Sequence, residues 1–161
     1  MSNGVMVVGD LFSQVCHSFS QLQRNYAHIF AGNVQVTPVY LGAPGDVAIP
    51  IVVSDEVKKS WKAWATACQK SGTPAIVQLN HPGRQSPPGA GTKSFRAKNL
   101  APSAVKMDFG PSYLDRAIST VGFGTPKAMN SQEIDEAVGL WVHGAKLAEE
   151  AGFKGVEIHG A

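Results

Sequence analysis

Segments able to form buried strands alternate along this chain with segments able to form amphipathic helices, and glycine or proline marks the strand ends. Residues 28–37, 74–80 and 156–158 carry the strand signals, and residues 54–71 and 130–151 carry the helical ones. A strand that passes through a helix to the next strand returns to the same sheet by a right-handed crossover, so this alternation builds parallel β/α units. The fold class is therefore α/β. Pattern alone leaves two architectures, an open doubly wound sheet or part of a (β/α)8 barrel. No G-x-G-x-x-G stands between a strand and a helix, and no G-x-x-x-x-G-K-[ST] occurs, so dinucleotide and P-loop readings lose support.

The helical segments carry their own start and stop signals. Ser54 can cap the first, with Asp55 and Glu56 at the positive end of its dipole. Val57, Trp61, Trp64, Ala65 and Cys68 share one apolar face, and Gly72 ends the helix. The two tryptophans suit packing against a sheet better than ligand binding. Asn130 opens the second helix, with Glu133 three residues on as in a capping box. Ile134, Ala137, Val138, Trp141, Ala145 and Ala148 form its expected buried stripe. His143 lies off that stripe and is expected at the surface. Gly152 stands where a helix C′ glycine belongs. Nearer the N-terminus, Val5–Val8 reads as a short strand and Ser13–Arg24 as a weakly patterned helix.

Candidate site residues follow from the strand ends. The last strand runs into His159, with Gly160 behind it. Ligands of parallel sheets gather outside the carboxyl ends of the strands, and a histidine there, beside a glycine that admits a ligand to the backbone, is a candidate site residue. Gln78 interrupts the apolar strand 74–80. A strand of this class is buried on both faces, so the carboxamide needs a partner. A neighbouring backbone would serve, and so would a planar heterocycle with alternating carbonyls and N–H groups. In residues 28–37, Ile29 and Phe30 are expected to be buried. Gly32 and Asn33 mark a break where backbone can sit close to something else. Residues 38–50 form a long Gly- and Pro-rich loop, a kind that tends to carry function. From His81 to Lys127 the chain reads as a second irregular excursion, with room for a small hairpin. His81 and Arg84 face the same end as His159 if the strands are parallel. An arginine–backbone clamp that orders the loop explains them as well as ligand contact does. A metal held by His81 and His159 lacks supporting carboxylate spacing, and no G-x-S-x-G elbow is present.

Composition bounds the rest. With 161 residues, 43% hydrophobic and 16% charged, the chain can bury a real core and is unlike a disordered tail. A net charge of +2 without a basic run argues against a nucleic-acid partner. Cys16 and Cys68 lie far apart, which fits a reducing compartment better than a disulfide framework or a zinc site. Residues 1–10 have neither a signal-peptide nor a membrane-span pattern, so the expected location is cytoplasmic, with no membrane partner.

Four blocks together carry a resemblance. Residues Gln78-Leu79-Asn80-His81-Pro82-Gly83-Arg84 resemble the Q-L-x-H-x-G-R turn of the old yellow enzyme family, the FMN-dependent ene-reductases. Ala101-Pro102-Ser103-Ala104 fits the same excursion, and Phe123 to Met129 followed by Glu133-Ile134 resembles the family's entry into its third barrel helix. Ala148 to Ala161 is similar to its fourth strand. The resemblance covers residues 28–161 and leaves 1–27 unassigned within a single domain. It implies a partial (β/α)8 TIM barrel, roughly strands two to four with their helices and a long loop after the third. It also implies FMN at the carboxyl mouth, NAD(P)H as reductant and an enone-type small molecule as substrate. On the same basis Gln78 would bond the flavin pyrimidine edge, and Gly32 and Asn33 would lie beside the flavin. His159 would be the first of two donors to the substrate carbonyl, with no metal involved. The second donor would stand three residues after His159 and a proton-supplying tyrosine two further on, both beyond Ala161.

A complete barrel takes roughly 250 residues. The expectation is therefore a partial copy with weak or no activity alone. The alternative is a non-catalytic half barrel that self-associates through exposed edges. A different α/β binding or hydrolytic protein is a third reading.

Overall fold

The computed structural model describes residues 27–160. The expected strand Val5–Val8 and helix Ser13–Arg24 lie outside the described residues. The strands are β1 (Ile29–Gln35), β2 (Ala75–Asn80), β3 (Leu100–Ala101), β4 (Lys127–Ala128) and β5 (Gly155–Ile158). The α-helices are α1 (Asp55–Cys68), α2 (Tyr113–Ala117) and α3 (Ser131–Ala151). One sheet has the order β1-β2-β5. β2 and β5 are parallel, with Gln78 opposite Glu157 and Leu79 opposite Ile158. Ile29 N–H donates to Pro74 O at 2.9 Å and Val36 N–H to Asn80 O at 2.8 Å, so β1 runs the same way beside β2. Packing groups the described residues into two units, one of residues 27–33, 52–79 and 143–160 and one of residues 34–51 and 80–142.

The core of the first unit is aromatic. Ser54 Oγ accepts from Val57 N–H at 3.4 Å and starts α1, which turns Trp61, Trp64, Ala65 and Cys68 inward. Phe153 joins both tryptophans edge-on, with ring centroids 6.2 Å from Trp61 and 5.1 Å from Trp64. Each such pair adds about 0.5–1.5 kcal/mol beyond its area burial. Phe153 reaches the cluster because α3 stops sharply: Gly152 takes φ +94, and Phe153 N–H donates back to Ala148 O at 3.1 Å. Leu147, Ala148 and Ala151 from α3 and Ala75, Val77 and Leu79 from β2 are buried in the same unit. The Gln69 carboxamide links their ends. It donates to Ala65 O at 3.1 Å and Gly152 O at 3.0 Å, and accepts from Ala75 N–H at 3.4 Å.

In the second unit a polar chain with a buried glutamine at its centre orders the loop after β1. The Asp46 carboxylate accepts from Gly42 and Ala43 N–H at 3.0 Å each and from Gln35 Nε2 at 2.8 Å. Gln35 Oε1 accepts from Asn80 Nδ2 at 3.2 Å, so this fully buried glutamine is satisfied at both ends. The capping box at α3 is present: Asn130 Oδ1 accepts from Glu133 N–H at 2.8 Å, and the Glu133 carboxylate accepts from Asn130 N–H at 3.0 Å.

Several expectations need correction. Phe30 is 53% exposed, because it alternates with buried Ala31 and takes the other face of β1. Gly32 and Asn33 do not break the strand; β1 runs through them. The stretch 81–127 is not wholly irregular. A capped five-residue helix, α2, is too short to show a helical period, and it runs into a π-helical turn, Ile118–Phe123. The short strands β3 and β4 pair in parallel, which excludes a hairpin. On α3 the buried residues are Gly144, Leu147, Ala148 and Ala151, while Ile134 and Val138 are exposed. The period was legible, but packing covers only the C-terminal half and selects a neighbouring stripe. His143 is half-buried rather than at the surface, and its Nε2 is buried without a partner among the described residues.

Phe153→Ala should lower stability by about 3 kcal/mol, since it opens a cavity between two fixed indole rings. Lys58→Ala, which removes an ion pair to Glu150 whose partners are 51% and 59% exposed, should cost less than about 1 kcal/mol. Urea midpoints of the two variants compare them directly.

Candidate functional site

The parallel register of β2 and β5 assembles the site of the first unit. It sets Gln78 opposite Glu157, and Gln78 Nε2 donates to Glu157 Oε1 at 3.4 Å. Both side chains are half-buried. Gln78 is thus not enclosed on both faces, and its partner is a carboxylate rather than a neighbouring backbone. Ala75, Val77 and Leu79 are buried on the other face of β2, whereas Ile76 and Gln78 lie on the more open one.

Gly32 stands against the same residue. A Cβ at Gly32 would lie 2.8 Å from Gln78 Cβ and 2.9 Å from Gln78 O, so a side chain there would force β1 off β2. The close approach expected at this glycine is made to the protein's own second strand. Asn33 follows it, is exposed, and makes no side-chain hydrogen bond among the described residues.

His159 extends the ladder by one residue past β5, its N–H donating to Leu79 O at 2.9 Å. It lies two residues after Glu157, and strand alternation puts both on one face. The imidazole is half-buried and has no side-chain partner among the described residues. Gln78, Glu157 and His159 therefore share a face at the carboxyl end, with Gly32 packed on Gln78. Glu157 escaped the sequence reading. The i, i+2 spacing of Glu157 and His159 was the available signal, but only the register shows which residue faces Gln78.

The second unit holds a separate polar cluster after β2. Arg84 Nη1 donates to Val105 O at 3.4 Å and Lys106 O at 3.3 Å, which is the loop clamp. His81 Nδ1 accepts from Gly83 N–H at 3.1 Å, and its ring lies 5.4 Å from that of Tyr40. Burial holds the His81 pKa below the usual imidazole value. Lys93 Nζ sits 5.5 Å over the Tyr40 ring and donates to Asn99 Oδ1 at 2.8 Å, to Ser86 O at 3.3 Å and to Ser86 Oγ. Desolvation lowers the Lys93 pKa, and burial, then the Glu133 charge, raise that of Tyr40. Tyr40 and Lys93 carried no sequence signal beyond their chemistry. Among the described residues, no group of three or more His, Cys, Asp or Glu side chains could hold a metal, and no helix is long and apolar enough to cross a membrane.

Known proteins share this arrangement of elements. The sequence model of a family described as NADH:flavin oxidoreductase / NADH oxidase matches residues 17–161, reaching further toward the N-terminus than the motif blocks do. The NADH-dependent flavin oxidoreductase iccE of Talaromyces variabilis is 46% identical over 155 residues, covering 96% of this chain and 37% of that protein. The NADH-dependent flavin oxidoreductase iliE of Hypocrea jecorina is 38% identical over 164 residues, covering 100% of this chain and 41% of that protein. The chain thus spans well under half the length of these curated relatives. Among solved structures, the old yellow enzyme from Trypanosoma cruzi is similar with a TM-score of 0.68 and 27% identity, over 92% of this chain and 41% of that one. The architecture is accordingly that of a partial (β/α)8 barrel.

Two outcomes follow from this geometry. Gly32→Ala should cost about 1–3 kcal/mol in chemical denaturation, because Gln78 Cβ and backbone cannot both yield. For His81 the folded pKa is the lower one, so the unfolded state takes up the proton first on acidification. Stability is then fully present above the unfolded value of about 6.5 and falls as pH drops toward the folded one. His81→Gln should flatten the difference between urea midpoints at about pH 7.5 and about pH 5.5.

Proposed function

Because this chain belongs to the NADH:flavin oxidoreductase / NADH oxidase family, we propose that its Gln78–His159 face binds FMN and a carbonyl-bearing substrate in an old yellow enzyme-type oxidoreductase. FMN is the family's cofactor and NAD(P)H its reductant. The observation that carries the proposal is the alignment of Gln78, Glu157 and His159 on one sheet face, with Gly32 leaving that face free of a side chain beside Gln78.

The residues present fit a flavin. With one Nε2 proton directed at Glu157, the Gln78 carboxamide keeps a second N–H and an acceptor oxygen. Those are the groups that can read a ring edge of alternating carbonyls and N–H. Gly32 and Asn33 lie on β1 beside it and are exposed, so a flat ring can approach the backbone there.

Bound FMN, reduced by NAD(P)H, would supply the hydride. The substrate class is an alkene activated by a conjugated carbonyl, as in an enone. His159 has an imidazole without a side-chain partner among the described residues, and it can donate to that carbonyl oxygen. Negative charge grows on the oxygen as the β carbon is reduced, and a donor already in place stabilises it more in the transition state than in the ground state. His159 is in this reading a substrate-orienting and charge-stabilising group.

FMN titration of the purified chain, followed by flavin fluorescence, tests the proposal. Saturable binding that Gln78→Ala weakens about tenfold is the expected outcome. Fluorescence unchanged up to about 1 mM FMN would sink it.

A further inference from the structure

Glu157 has an interaction that its place in a short strand did not foretell. It takes part in neither of the ion pairs among the described residues, Lys58–Glu150 and Lys127–Glu133. Its protein partner is the Gln78 carboxamide, at 3.4 Å. Glu157 and Gln78 are opposite each other in the parallel ladder, and Gly32 closes on Gln78 from the strand on the other side.

A carboxylate only accepts hydrogen bonds, whereas a carboxamide has a donor end and an acceptor end. Only the nitrogen of Gln78 can face Glu157 without repulsion between oxygens. The flip of this amide is therefore dictated by its neighbour's chemistry. Oε1 is left free to accept from a ligand N–H, together with the second Nε2 proton. With β1 pressed on Gln78 Cβ, the side chain has little room to escape this arrangement.

We propose that Glu157 is a positioning residue that fixes the orientation of the Gln78 carboxamide and so sets which ring edge the site accepts: one that offers an imide-type N–H to Gln78 Oε1. This deepens the flavin reading and rests on it. The ring class is a flat heterocycle whose N–H is flanked by carbonyls, and in a flavin that N–H is at N3. A purely structural carboxylate would hold β5 in place without affecting which edge is preferred.

The experiment compares dissociation constants of FMN and 3-methyl-FMN for the wild-type chain, Glu157→Gln and Gln78→Ala. Methylation removes the N3 donor. The wild type should favour FMN about tenfold, the value of one hydrogen bond of ordinary strength. Glu157→Gln keeps the volume and still pairs with Gln78, but a carboxamide presents either end. Preference for FMN should then fall to about twofold or less, as it should in Gln78→Ala. Unaltered preference in Glu157→Gln, with preference lost in Gln78→Ala, overturns this inference and leaves the flavin site standing. A wild-type chain that binds neither ligand overturns both. Should Glu157→Gln fail to fold, the wild type decides alone, since equal affinity for the two ligands contradicts a fixed Oε1.

Discussion

The parallel ladder between β2 and β5 is the constraint on which the site depends. It sets Gln78 beside Glu157 and carries His159 one step past the strand end, through the bond from its N–H to Leu79 O. A slip of β5 by one residue would turn Glu157 and His159 to the face opposite Gln78, because the side-chain period of a strand is two. The ladder holds its register because the other face of β2 is packed. Ala75, Val77 and Leu79 are buried in a unit anchored by Trp61, Trp64 and Phe153. Moving them would expose roughly 2 kcal/mol of burial for each large apolar side chain.

The two faces of this sheet therefore divide the labour. One is apolar and buried along β2, through Ala75, Val77 and Leu79, while Val156 and Ile158 of β5 on the same side are exposed. The other keeps half-buried polar groups at the strand ends, where a ligand can reach them. Gly32 lets β1 approach β2 closely at Gln78. In the second unit polar side chains pair with one another. Buried Gln35 and Asn80 and half-buried Asp46 satisfy one another in a chain that orders the loop after β1, and half-buried Lys93 with buried Asn99 and Ser86 does so further along. Buried polar groups of this kind are costly to leave unpaired, so each fixes a loop conformation that a Gly- and Pro-rich sequence would not adopt alone.

Legibility in the sequence followed locality. The cap at Ser54, the box of Asn130 with Glu133 and the glycine stop at Gly152 were readable, because each is made by residues within a few positions of one another. Gln78 and His159 stood out for similar reasons, as a polar residue in an apolar strand and a histidine at a strand end. The burial of Phe30, Ile134 and Val138 was misjudged, because apolarity and period define a stripe without saying what covers it. The capped helix α2 and the parallel pair β3–β4 were missed, because each is too short to leave a period.

The sequence alone determined the α/β class, the helix limits, the family blocks and the two residues most exposed to functional suspicion. These are properties of short-range chemistry and of pattern. Only the tertiary structure decided that Gln78 faces a carboxylate, that Gly32 is needed for contact with the protein's own strand, and that Glu157 shares a face with Gln78 and His159. Those facts depend on strand register and on residues tens of positions apart, and cross-strand register is fixed by packing of the whole sheet rather than by any local stretch of chain.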